Sequence, residues 1–180
     1  RSEARGPAVR NHMRELRQEG VNRRQMAVGL GISMAVIAVD LLTKRYAATT
    51  FKSDPIEVIP GVLDFVYTEN FGASFSLFQD LGWFLSIAAL VAAAIVVNAL
   101  RQDRPLGEVI AFGLIGGGAV GNLIDRLARG DGLFDGGVID WIRLPNFPVF
   151  NIADSSITIA VVVLLVMAWR SERAAKAVAA

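Results

Sequence analysis

Four short stretches carry the side chains able to do chemistry. In DLLTK, Asp40 and Lys44 stand at i,i+4 and share one helix face. In GNLIDR, Asn122, Asp125 and Arg126 fall at i, i+3 and i+4. In NIAD, Asn151 and Asp154 are three apart, and Asp140 in VIDW lies 14 positions before Asp154. The chain has no cysteine and a single histidine, His12, in a charged N-terminal stretch. Thiolate catalysis, disulfides and Cys-ligated or multi-His metal sites are thereby excluded, and no metal or other cofactor is expected. Carboxylate chemistry remains. Two carboxylates held close cannot both ionise easily, so the pair keeps one proton between them. The ionised member can then activate a water while the other protonates a carbonyl, the logic of the aspartic proteases. A serine nucleophile (Ser74, Ser76, Ser155 or Ser156) with Lys44 as base is a second chemistry, and a proton or ion path through Asp and Lys is a third.

The elements that must position these groups are apolar. Of 180 residues, 53% are hydrophobic and 19% charged. Four segments have the length and composition of membrane spans, residues 26–46, 82–100, 106–124 and 152–169. Trp83 and Trp169 fall at span ends, where indole favours the interface. Residues 1–25 form a charged arm and 171–180 a tail. The intervening residues 26–170 form one domain. Residues 47–81 contain two short runs rich in β-branched and aromatic side chains, IEVI and LDFVYT, separated by Pro60-Gly61, and predict a small outward-facing antiparallel sheet. Residues 125–151, with four glycines and two prolines in their middle, read as a mobile outer loop with one short helix. The fold class is therefore a membrane α-helical, four-transmembrane-helix bundle with a small sheet and a loop on one face.

Charge sets the orientation. Twelve of the 18 Lys and Arg lie in the arm, in the link between spans two and three, or in the tail. The positive-inside rule places those three regions in the cytoplasm. A net charge of +1 gives no bulk attraction to nucleic acid. With this topology Asp40, Lys44, Asn122, Asp125, Arg126, Asn151 and Asp154 all map to the outer leaflet, and Asn70 and Asp140 to the outer segments. Ionisable groups inside a span cost about 2.5–3.5 kcal/mol each at the bilayer centre and usually face the bundle interior, so such a cluster marks a site. A conduction path would need polar groups at both depths, and the inner half has few. Structural roles stand beside the site reading: an ion pair for Asp40 and Lys44, and a cap of span three for Asp125 and Arg126. Asp154 has no cation within four residues, whereas Asp140 has Arg143 at i+3. The glycines in GLIGGGAVGN, at small-xxx-small spacing, predict close helix packing rather than phosphate binding. Residue types and spacing leave open whether Asp140 or Asp125 partners Asp154.

Five blocks in order resemble the bacterial lipoprotein signal peptidases, or signal peptidase II family, over about residues 28–170. They are DLLTK, NFGASFS (Asn70, Gly72, Ala73, Phe75), GGAVGNLIDR (with Gly118 and Gly121), VIDW, and FNIADSSI (with Ala153). The resemblance implies a four-span intramembrane aspartyl endopeptidase of the bacterial inner membrane. Such an enzyme removes the signal peptide from diacylglyceryl-modified prolipoproteins, cutting before the lipidated cysteine of the substrate, and globomycin-type peptides inhibit it. The resemblance places the catalytic pair at Asp140 and Asp154. It implies supporting roles for Asp40, Lys44, Asn70, Gly72, Asn122, Asp125, Arg126, Asn151 and Ala153. Partners are then the lipidated prolipoprotein and membrane lipid. Two departures stand out: VIDW has Trp141 where the family pattern more often has Phe, and the charged arm is longer than the family core requires.

Overall fold

The computed structural model describes residues 7–72, 82–130 and 132–179; for residues 7–19, 21 and 179 only the backbone is described. Its elements are α1 (Pro7–Thr50), β1 (Ile56–Ile59), β2 (Leu63–Asn70), α2 (Gly82–Leu100), α3 (Leu106–Ala128), β3 (Val138–Arg143) and α4 (Ile152–Ala179). All four helices contain a stretch long and apolar enough to cross a membrane. The charged arm does not break from the first span: α1 is continuous from Pro7, and no proline or glycine pair interrupts it. Likewise α4 runs on through the tail to Ala179.

α3 is the central helix. Of its most apolar stretch 50% is buried, against 17–22% in the other three helices. It packs on α1, α2 and α4, so α2 and α4 meet chiefly through it. Glycines make this possible. A Cβ at Gly113 or Gly117 would lie 2.8 Å from a backbone oxygen of α1, and one at Gly118 would lie 2.5 Å from Ala153 O of α4. The small-residue stripe thus serves helix packing, as its spacing predicted. At the end where α2 and α3 are linked, Gln25 Nε2 donates to Arg104 O at 2.8 Å and ties α1 to the link.

At the opposite end lies a three-stranded antiparallel sheet of order β1-β2-β3. Pro60-Gly61 turns between β1 and β2, with Gly61 at φ +69° and Val62 N donating to Ile59 O at 2.9 Å. The third strand corrects the sequence reading, which gave this segment to a mobile loop and a short helix. VIDWIR pairs with β2, and among the described residues of 125–151 no short helix forms; α3 continues instead to Ala128. The reason is burial from both faces. Ile139 and Trp141 pack into an apolar cluster with Ala47 and Phe51 at the end of α1, while Val138 and Asp140 point the other way. Both faces being buried, the strand lacks the apolar-polar alternation that marks a strand in sequence. The register slips between Phe65–Ile142 and Thr68–Asp140, a bulge that sets where Asp140 points.

Candidate active site

The first turn of α4 is the anchor of the site. Asn151 precedes the helix, and its Oδ1 accepts the Asp154 N–H at 2.9 Å. Asp154 Oδ2 in return accepts the Asn151 N–H at 3.3 Å. This is a capping box built from Asn and Asp, and NIAD is its sequence signature. A third orphan N–H, that of Ala153, is satisfied from another helix: Asp40 Oδ1 accepts it at 2.9 Å. Both carboxylates sit where the helix dipole favours negative charge.

Lys44 is fully buried, and its ammonium meets three acceptors: Asp40 Oδ2 at 2.6 Å, Asp125 Oδ2 at 2.9 Å and Asn122 Oδ1 at 2.8 Å. Asp125 spends its remaining capacity on Arg129 Nε at 2.7 Å and on the Ile139 N–H at 3.3 Å. It is a strut between α1, α3 and β3 and does not line the cavity described next. Arg129 was not singled out from sequence, although its i+4 spacing from Asp125 signals the pair.

A cavity of about 360 Å³ opens beside this network. Asp140, Asp154, Asn70, Asn122 and Arg126 supply its polar wall, with Gly72 beside them. Leu85, Ala88, Ala89 and Ala92 of α2 supply much of the apolar wall. These α2 residues were not picked out from sequence, because an apolar side chain in a span carries no chemical signal; only the Ala88/Ala92 spacing hints at a face that leaves room. Asn151 joins the two carboxylates. Its Nδ2 donates to Asp140 Oδ1 at 2.6 Å, while its backbone N–H bonds Asp154. Asn70 Nδ2 donates to Asp140 Oδ2 at 3.1 Å, and Asn122 Nδ2 to Asp154 Oδ1 at 2.8 Å. Asn70 Oδ1 accepts the Gly72 N–H at 3.1 Å, which pins the loop after β2.

Asp140 is 3% exposed, and its pKa is pushed up to about 7. Burial is the main cause, the Asp154 carboxylate adds to it, and the amides of Asn70 and Asn151 oppose it. Arg143, the cation nearest in sequence, pairs instead with Asp64 across the sheet at 2.8 Å. Arg126 is 7% exposed, and its Nε has no hydrogen-bond partner among the described residues. Arg126 also lines the cavity, so its side chain stands at the polar wall with donating capacity to spare. Ala153 is fully buried and lends the site its backbone N–H rather than its side chain. Ser155 and Ser156 donate their hydroxyls to helix carbonyls, and Lys44 bonds to neither. Ser74, Ser76, Ala73 and Phe75 lie outside the described residues.

Three of the four apolar helices, α2, α3 and α4, thus wall with β3 a cavity that Asp140 and Asp154 line at the sheet end. A family model described as "Signal peptidase (SPase) II" matches residues 32–170, and the chain belongs to that family. It is 35% identical over 152 residues to a lipoprotein signal peptidase of Streptomyces coelicolor, covering 82% of this chain and 73% of the relative. It is 38% identical over 150 residues to that of Acinetobacter baumannii, covering 77% and 81%. Among solved structures it resembles a bacterial membrane enzyme determined by the in meso method at 2.3 Å, with a TM-score of 0.71, 30% identity, and coverage of 81% of this chain and 90% of that one.

Proposed function

We propose that Asp140 and Asp154 are the catalytic pair of this peptidase. The chain is an aspartic endopeptidase that removes signal peptides from diacylglyceryl-modified prolipoproteins, cleaving before the lipidated cysteine. The observation that carries the assignment is the position of Asn151: one residue bonds both carboxylates at the edge of one cavity, while Asp125 is taken up by two cations behind it.

Asp140 holds the shared proton, in keeping with its raised pKa. Asp154, at the positive end of α4, is the ionised member. It takes a proton from the water that attacks the scissile carbonyl, while Asp140 gives its proton to the carbonyl oxygen. The diol intermediate collapses when Asp140 takes a proton back and Asp154 protonates the leaving amine. Arg126 offers its unused donors to substrate carbonyls, and Lys44 holds Asn122 in place without touching substrate. The sheet end faces outward, with both termini in the cytoplasm, in accord with the distribution of Lys and Arg. The enzyme sits in the bacterial inner membrane, and globomycin-type peptides occupy the same cavity.

The test is release of signal peptide from lipidated prolipoprotein by purified protein, with the unlipidated precursor as control. Asp140→Asn and Asp154→Asn are each expected to abolish release without unfolding the protein. Normal turnover by either variant removes it from the pair.

A further inference from the structure

We propose that a second, apolar groove on the far side of Asp154 receives one acyl chain of the substrate's diacylglyceryl group; the proposal rests on the peptidase reading above. The groove has a volume of about 620 Å³ and lies between the β3–α4 loop and the first turns of α4. Leu144, Phe147, Val149 and Phe150 form one wall and Ile159 part of the other. Asp154 and Ile157 line both this groove and the catalytic cavity, so the start of α4 is a partition with a chamber on each side.

The groove is built rather than left over. Leu144-Pro145-Asn146-Phe147 forms a tight turn, with Asn146 at φ +54° and Phe147 N donating to Leu144 O at 3.3 Å. Phe150 then clasps the loop back onto β3, exchanging hydrogen bonds with Ile142 at 3.0 and 2.9 Å. Phe147 and Phe150 meet edge to face with centroids 5.6 Å apart. The wall therefore exists before anything binds.

Its chemistry selects hydrocarbon over peptide. The two hydroxyls in it already donate to helix carbonyls: Ser155 Oγ to Asn151 O at 2.8 Å and Thr158 Oγ1 to Asp154 O at 2.9 Å. A peptide laid there would find neither hydroxyl proton free for its carbonyls, which is costly away from water. An acyl chain needs no partner. The groove also continues as a track. Ile159, Val162, Leu165 and Val166 are 42–64% exposed at helical spacing on α4, which packs chiefly on α3 and then α1. From Ser155 to Val166 this flank is about 16 Å long, the depth of roughly one leaflet. The catalytic cavity, walled by Arg126, Asn70 and Asn122, suits the peptide backbone. A lipid attached next to the scissile bond must leave past Asp154, and this groove is the apolar route there.

The experiment uses the full chain in lipid nanodiscs and prolipoprotein carrying either dipalmitoyl- or dioctanoylglyceryl. Ile159→Trp, at a lipid-facing position that tolerates bulk, is expected to raise the ratio of KM for the long-chain to the short-chain substrate about tenfold. An unchanged ratio overturns the proposal. Independently, dipalmitoyl substrate with a diazirine near one acyl terminus is photolysed on the wild-type protein. Label in residues 144–150 and 155–166 supports the groove, and label confined to α2 overturns it. So does equal labelling by a diazirine phospholipid that substrate fails to displace, which would make the groove an ordinary lipid site. Photolabelling does not depend on cleavage. Label in the groove without signal-peptide release would count against the peptidase reading alone.

Discussion

Lys44 Nζ lies 2.8 Å from Oδ1 of Asn122, and this contact decides which end of the Asn122 amide faces Asp154. Because the ammonium can only donate, it holds the carbonyl oxygen and leaves Nδ2 to bond Asp154 at 2.8 Å. A buried lysine on α1 thus orients a donor on α3 toward a carboxylate on α4. Sequence spacing pairs Lys44 with Asp40 alone; the structure adds Asp125 and Asn122.

Replacing Lys44 tests that relay. Lys44→Met removes the cation between two buried carboxylates and is expected to cost about 3–5 kcal/mol, the usual penalty for breaking a buried pair from one side. Thermal unfolding in detergent measures it. Asn122→Ala removes the donor to Asp154 and one of the three acceptors of Lys44 but leaves the ammonium between its two carboxylates, so it should lower kcat with a smaller change in unfolding temperature. Equal stability losses in the two variants would contradict the division of labour.

Asp125 is placed as a strut, so Asp125→Asn should lower stability and leave partial activity. Its amide cannot accept from Lys44, Arg129 and Ile139 together as the carboxylate does. A variant with the wild-type unfolding temperature and no activity at all would move Asp125 into the reacting pair.

The raised pKa of Asp140 gives a pH prediction with a definite sign. If Asp140 supplies the proton, kcat/KM falls as pH rises through about 7, because the acid is lost. Asn70 donates to the ionised form and holds this pKa down, so Asn70→Ala should move the basic limb to higher pH. Stability follows the same linkage. Between the ordinary carboxylate value of 3.8 and about 7, the folded state binds more protons at this site than the unfolded chain. Asp140 therefore makes the protein less stable as pH rises through that window, and Asp140→Asn should flatten this part of the profile.

Gly121 tests the packing that brings α3 to the site. An added Cβ would lie 2.8 Å from Asp40 Oδ2 and 3.5 Å from the Ala153 side chain. Gly121→Ala should cost about 1–3 kcal/mol by displacing Asp40 from Lys44 and from the start of α4. Gly31→Ala meets nothing within 4 Å and should be neutral or slightly stabilising, because alanine favours a helix by about 1 kcal/mol over glycine. Paired unfolding scans compare the two.

Much of this protein was legible in one dimension, for a physical reason. A membrane span must satisfy its backbone internally and present apolar side chains to lipid, so it shows as an uninterrupted run of the right length. The four helices, the Pro60-Gly61 hairpin and the glycine packing of α3 all follow from local rules of this kind. The gathering of Asp40, Lys44, Asn122, Arg126, Asn151 and Asp154 at one end also follows, from span direction and the cost of burying charge. β3 was missed because its signal is tertiary: VIDWIR is a strand because α1 and α3 cover it from both sides.

Residue types and span direction alone establish that carboxylates collect at one end of a four-span bundle and that no thiol or multi-His metal site can serve them. They leave the partner of Asp154 undecided between Asp125 and Asp140, because both lie in or beside the outer segments and both have a nearby arginine. Their tertiary surroundings differ. Lys44 and Arg129 converge on Asp125 and bind it as a strut, while Arg143 is drawn off to Asp64 and leaves Asp140 to amides. A carboxylate given two cations is neutralised in place, whereas one given burial and neutral donors keeps a proton within reach of neutral pH. That difference arises from which helices touch, and no spacing along the chain contains it.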